Sequence, residues 1–180
     1  MERRFKDVLA IAGSPRKGGN SDILCDEFLH GALDAGHSIE KIYLQDNKIG
    51  CCYACYGCRE TGECVQKDDM KELLDKMIQA DVIVLATPVY FYAMSGQMKT
   101  MIDRTLPRYR EIADKEFYFI ATAAAGETAM KRTTDGLYGF TDCLPGAKVQ
   151  GVLYGAGVYQ KGEVSGTKAM QDAYRMGKNI

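Results

Sequence analysis

The feature that most constrains this chain is an alternation of short apolar runs with helical patterns. Residues 7–12, 38–44, 81–86, 117–123 and 148–154 are apolar or alternating runs, and each gives way to a loop. Runs of this length bounded by turn formers read as strands, and the least interrupted of them as strands buried on both faces. Helical patterns separate them. Strands alternating with helices imply a parallel sheet covered on both faces. The 180 residues suit one domain with a real core. No repeat, linker or low-complexity tract interrupts them, so the reading is a single domain over 1–180 with a cysteine-rich insert at about 45–67.

The helices have legible stripes and ends. In the first, Cys25, Phe28, Leu29, Ala32 and Leu33 fall on one face, Asn20 or Ser21 can cap the start, and Gly36 ends it. Asp68 and Asp69 open a second, with Met70, Leu73, Leu74, Met77 and Ile78 on one side and acids at its positive end. Ser95 can cap a third, with Met98, Met101, Ile102 and Leu106 inward and Pro107 after it. A fourth spans about 128–144, weakened by Gly136 and Gly139, and a fifth about 165–178. His30 and His37 flank a helix end and read as surface or capping residues.

Charge excludes some partners. Lys and Arg total 23, Asp and Glu 24, for a net charge of −1. No basic excess points to nucleic acid or an anionic membrane surface. No run of about 18 apolar residues suggests a membrane span. The start, Met1-Glu2-Arg3-Arg4-Phe5-Lys6, lacks the pattern of a signal peptide, so the expected location is cytoplasmic.

In a parallel sheet, loops that follow strands meet at the carboxyl edge, where ligands bind near the topological switch point. The loop Gly13-Ser14-Pro15-Arg16-Lys17-Gly18-Gly19-Asn20-Ser21 has what a phosphate needs: glycines for close approach, then hydroxyls and N–H groups at a helix start. It is neither a Walker loop nor Gly-x-Gly-x-x-Gly, which leaves a monophosphate. Pro88-Val89-Tyr90-Phe91-Tyr92 offers backbone groups and aromatic faces for a flat ring. Residues 123–127 form a third, small-residue loop. An ordinary strand-to-helix turn and a core-filling aromatic trio are the bland readings of the first two.

Residues 11–21 resemble the FMN phosphate loop of the NAD(P)H-dependent FMN reductase and iron–sulfur flavoprotein group. Residues 87–91, 96–99 and 102–104 resemble its second flavin loop and following helix. The resemblance implies a flavodoxin-like α/β fold, a doubly wound five-stranded parallel sheet in order 2-1-3-4-5, with FMN bound non-covalently. By position, Ser14, Arg16, Gly19, Asn20 and Ser21 then surround the phosphate. Thr87, Pro88, Val89, Tyr90 and Phe91 line the ring. Ala124 and Gly126 are placed by loop position only. NAD(P)H or a redox partner protein is the expected electron partner, and a homo-oligomer, dimer or tetramer, is expected. No general acid–base pair is required and no catalytic side chain is named.

Five of the seven cysteines lie within residues 51–64, and four fit Cys52-x2-Cys55-x2-Cys58-x5-Cys64. Four thiolates can hold a [4Fe–4S] cluster or a tetrahedral zinc. Two successive x2 gaps let one tight loop present three thiolates to a single cubane, and structural zinc more often uses two separated knuckles. The spacing resembles the compact motif of iron–sulfur flavoproteins. Cys51 competes with Cys52 as first ligand. Three readings stay open: an FMN-dependent electron-transfer oxidoreductase with a cluster, an NAD(P)H-dependent FMN or quinone reductase with free thiols, and a zinc-stapled binding module without enzymatic activity. Cys25 lies on a core stripe and reads as inert.

Overall fold

A computed structural model describes residues 5–180; the charged start at residues 1–4 lies outside the described residues. The five strands are β1 (Asp7–Ala12), β2 (Ser38–Tyr43), β3 (Val82–Pro88), β4 (Glu116–Ala123) and β5 (Lys148–Ala156). They form one all-parallel sheet in the order β2-β1-β3-β4-β5, the flavodoxin-like order expected. Six helices accompany them: α1 (Asn20–Asp34), α2 (Cys58–Thr61), α3 (Met70–Gln79), α4 (Gly96–Arg104), α5 (Glu127–Thr141) and α6 (Lys168–Lys178).

Period-two alternation along the inner strands builds two cores. Leu9, Ile11, Ile83, Leu85, Phe117 and Phe119 face α3, α4 and α5, where they meet Leu73, Met77, Met98, Met101 and Leu137. Val8, Ala10, Val82, Val84, Tyr118 and Ile120 face α1 and α6, meeting Leu24, Phe28, Ala32 and Ala173. All seven residues of β3 are buried, as a central strand covered on both faces requires. The edge strands β2 and β5 are only partly covered.

Several local expectations shift. Gly19, not Asn20 or Ser21, is the N-cap of α1, because Asn20 already has helical geometry and its side chain is used elsewhere. Leu33 is exposed, and Leu24 takes its place in the core. His37 is buried, its Nδ1 accepting from the Lys6 N–H at 3.2 Å. The weak fourth helix is real over Glu127–Thr141, while α6 begins at Lys168 after a run of turns. Ser95 caps α4 as expected, its Oγ accepting from Met98 N–H at 3.3 Å. No helix among the described residues is long and apolar enough to cross a membrane.

Candidate functional site

The loop after β1 is shaped by backbone demands. Gly18 sits at φ +68, and a Cβ on Gly19 would lie 2.9 Å from the Arg16 carbonyl oxygen. Ser14 is buried, and its Oγ accepts from Arg16 N–H at 3.1 Å. The first intrahelical bond of α1 runs from Ile23 N–H to Gly19 C=O at 2.9 Å. The N–H groups just before it, at Asn20, Ser21 and Asp22, therefore stand at the open, positive end of the helix. Arg16 is exposed beside them.

Asp22, in that first turn, would oppose an anion. Its carboxylate instead accepts from Gly18 N–H at 2.6 Å and pairs with Lys41 of β2, which also reaches Asp26 at 2.5 Å. Burial works against the Lys41 ammonium, but Cys25, Asp22 and Asp26 outweigh it and hold its pKa above the ordinary lysine value. Burial also pushes the neighbouring Cys25 thiol up to about 12, consistent with an inert core cysteine.

Asn20 has a different job from the one expected of its side chain. Its Nδ2 donates to Gln160 C=O at 2.9 Å, and its Oδ1 accepts from Gly162 and Val164 N–H at 3.1 and 3.3 Å. The amide thus ties the loop after β5 against the loop after β1. That loop brings Lys161 within about 3 Å of where a Gly18 side chain would sit (Cε 2.8 Å, Nζ 3.1 Å from the built Cβ). Lys161 is a third cation beside this loop, after Arg16 and Lys17; its sequence neighbourhood carries no pattern that could have flagged it.

Ser95 joins the first two loops. Fully buried, it donates its hydroxyl to Gly13 C=O at 2.7 Å, and its N–H donates to Thr87 Oγ1 at 3.0 Å. Gly13 N–H in turn donates to Ala86 C=O at 2.8 Å. Thr87 and Pro88 are buried at the end of β3, and the Thr87 hydroxyl donates to Pro88 C=O, so Thr87 braces the loop. Val89 is held by Thr122 C=O at 2.9 Å. Beyond it, Tyr90 and Ala93 exchange backbone hydrogen bonds at 2.9 and 3.0 Å around Phe91 (φ 50) and Tyr92 (φ 62), a tight turn with two left-handed residues. Phe91 is completely exposed, Tyr92 more than half and Tyr90 to 40%, which removes the core-filling reading. Ala124 and Gly126 are exposed in the third loop, with open space beside Gly126. Phosphate loop, aromatic turn and third loop all follow strands of the parallel sheet and stand at its carboxyl edge.

The cysteine segment follows β2 as a pinched loop. Its stem pairs residues 48–51 with 66–69. Lys48 N–H donates to Asp69 at 2.6 Å, Gly50 N–H to Asp68 at 3.1 Å, and Gln66 Nε2 to Cys51 C=O at 2.9 Å. Arg104, at the end of α4, closes the stem with bonds to Gly50 C=O at 2.7 Å and to both Asp68 oxygens at 2.7 and 2.8 Å. The sequence reading gave Arg104 no such role, since its partners are 36 and 54 residues away.

All seven cysteines are free. Cys52, Cys55, Cys58 and Cys64 line one small cavity together with Arg104, Leu106 and Pro107. Cys51 does not line it; its sulfur is 3.8 Å from Thr100 Oγ1 on α4. The Ala54 N–H points to Cys52 Sγ at 3.5 Å. The donor set fits a four-thiolate centre, but the coordination sphere is not preformed: among the described residues no three His, Cys, Asp or Glu side chains are grouped to hold a metal ion. Among the described residues five non-glycines have positive φ; Ala54 and Tyr56 are in this segment and Phe91 and Tyr92 in the aromatic turn. Such residues each cost roughly 1–3 kcal/mol, so strain collects in the two loops that carry the candidate chemistry.

Comparison with known proteins places the chain in a family. The family model of the NADPH-dependent FMN reductases matches residues 7–153. An iron–sulfur flavoprotein of Archaeoglobus fulgidus is 43% identical over 100 residues, which cover 56% of this chain and 46% of the relative. One from Methanocaldococcus jannaschii is 42% identical over 100 residues, 56% of this chain and 52% of the relative. These matches span about half the length of those relatives. An azoreductase structure from Bacillus anthracis superposes with a TM-score of 0.77 at 14% identity, covering 98% of this chain and 100% of that one, a likeness of fold. With the matched residues running from the first strand into the last, the chain belongs to the NADPH-dependent FMN reductase family.

Proposed function

We propose that this protein is an FMN-dependent electron-transfer oxidoreductase that carries a [4Fe–4S] cluster on Cys52, Cys55, Cys58 and Cys64. The observation that carries the reading is the convergence of those four thiols, and not Cys51, on one cavity in a flavin reductase fold. When bound, FMN supplies reversible one- and two-electron chemistry and the cluster a one-electron site. The chain's own residues bind and orient. Ser14, Arg16 and Gly19, with the N–H groups of Asn20 and Ser21, receive the phosphate, and Lys161 adds charge. Thr87 and Pro88 brace the turn that presents Val89, Tyr90 and Phe91 to the ring, with Ala124 and Gly126 opposite. NAD(P)H or a redox protein serves as donor, and the exposed aromatic turn suits a homo-oligomer in which a second chain covers it.

A cluster-free NAD(P)H-dependent FMN or quinone reductase is the second reading, favoured by the absence of a preformed ligand group among the described residues. Anaerobic purification with cofactor analysis separates them. The proposal expects one FMN per chain with iron and acid-labile sulfide at about four each. Stoichiometric FMN bleached by NAD(P)H, with neither iron nor sulfide, overturns the cluster and leaves the second reading. Zinc with an empty flavin site overturns both.

A further inference from the structure

We propose that the loop after β5, residues 159–164, is an arm that completes the phosphate site, and that Asn20 is the positioning residue that holds it there. Lys161, carried by the arm, gives the site its preference for a flavin phosphate monoester over the same flavin without phosphate. The inference rests on reading residues 13–21 as the FMN phosphate loop.

The arm is anchored at its base and exposed at its tip. Val158 and Val164 are buried in the core shared with α1 and α6. The N–H groups of Gly157 and Val158 donate to Ala125 and Ala123 C=O at 3.2 and 3.0 Å. Between the two valines, residues 159–161 are exposed and Gly162 turns the chain at φ +88. The Glu163 carboxylate is used inside the arm, accepting from Tyr159 and Gln160 N–H at 2.6 and 2.8 Å. Among the described residues, Asn20 supplies the hydrogen bonds that reach the tip from another element. Three of the four bonds its amide can make go there, to Gln160, Gly162 and Val164. An asparagine at a helix start ordinarily turns back onto its own first turn. This one is 6% exposed and bonds backbone 140 to 144 residues away.

Charge says what the arm is for. Lys17 pairs with Asp46 and lies over the Tyr43 ring. Arg16 and Lys161 have no carboxylate partner among the described residues. Asp22, the carboxylate nearest the loop, is answered by Gly18 N–H and Lys41. Two uncommitted cations therefore stand beside the open N–H groups of α1. A phosphate monoester carries roughly two negative charges at pH 7, which matches them. Lys161 occupies the space a side chain at 18 would need, so glycine there leaves room for the arm.

Fluorescence titration of the flavin-free full chain with FMN and with riboflavin tests this. Lys161→Met should weaken FMN binding about tenfold and leave riboflavin binding within about twofold. Lys161→Arg should retain FMN affinity. Asn20→Ala should reproduce the loss, and the double variant should lose no more than either alone, because both act through one ammonium. A merely structural Asn20 weakens both flavins alike, and its loss adds to that of Lys161→Met; either result overturns the proposal. Unchanged FMN affinity in Lys161→Met also overturns it, and leaves the phosphate-loop reading intact where the wild-type chain prefers FMN to riboflavin. A wild-type chain that binds both flavins equally overturns that reading and the arm with it. If Asn20→Ala does not fold, amide exchange in the wild-type chain decides. Slow exchange at Gly162 and Val164 is expected, and exchange at open-loop rates overturns the clamp.

Discussion

Phe91 and Tyr92 show how a single residue can be placed against its own preference. Both sit in left-handed backbone while their rings are exposed. Left-handed geometry costs an L residue about 1–2 kcal/mol, and glycine gives back about 0.4–1 kcal/mol of that through a freer unfolded chain. Phe91→Gly should therefore leave the FMN-free protein unchanged or more stable by up to about 1.5 kcal/mol. FMN affinity should fall several-fold, as read by fluorescence titration; unchanged affinity would remove Phe91 from the ring site. Lys41 is a residue of the opposite kind, needed because of its neighbour. Lys41→Met leaves the buried Asp22 carboxylate unpaired in the first turn of α1. The expected cost is about 3 kcal/mol in urea unfolding, with weaker FMN binding, since an uncompensated charge then faces the phosphate loop.

At the scale of elements, α1 and α6 meet backbone to backbone. A Cβ on Gly31 would lie 2.1 Å from the Tyr174 carbonyl oxygen, and one on Gly177 would lie 1.9 Å from that of Phe28. Helix propensity alone favours alanine over glycine by about 1 kcal/mol. Here the clash decides, because backbone cannot swing aside as a flexible side chain can. Gly177→Ala should destabilise by about 2–3 kcal/mol. Gly139→Ala in α5, where nothing lies within 4 Å, should stabilise by about 0.5–1 kcal/mol. Urea unfolding of both variants checks the contrast; equal effects would contradict the packing.

For the whole molecule, the tie between the cysteine segment and the sheet is pH-dependent. Hydrogen bonds from Arg104, resisted by burial and aided by the Gly50 and Met70 N–H groups, hold the Asp68 carboxyl below its ordinary value of 3.8. A carboxyl depressed on folding contributes stability above its unfolded pKa and loses it as pH falls through the folded one. That contribution should be complete at neutral pH, begin to fall at about pH 4, and be lost only as the pH drops through the depressed folded value. Asp68→Asn should be about 2 kcal/mol less stable at pH 7, discounted for partial exposure, and should lack that acid-side loss when urea unfolding is followed against pH. Much of the architecture is legible in the sequence alone. Apolar runs and stripes report burial directly, so five strands, five of the six helices and the carboxyl-edge loops could be read from residues 7–178. The Ser95 cap and the cysteine spacing are equally local, and local patterns survive in sequence. The four-residue helix α2 left no such pattern. Nor could sequence show that Asn20 reaches Gln160, that Lys161 lies against Gly18, that Cys51 turns away to Thr100, or that Arg104 closes the cysteine stem. Contacts of this kind join residues up to 144 positions apart, as Asn20 and Val164 are, and only the packed chain brings such partners within bonding distance.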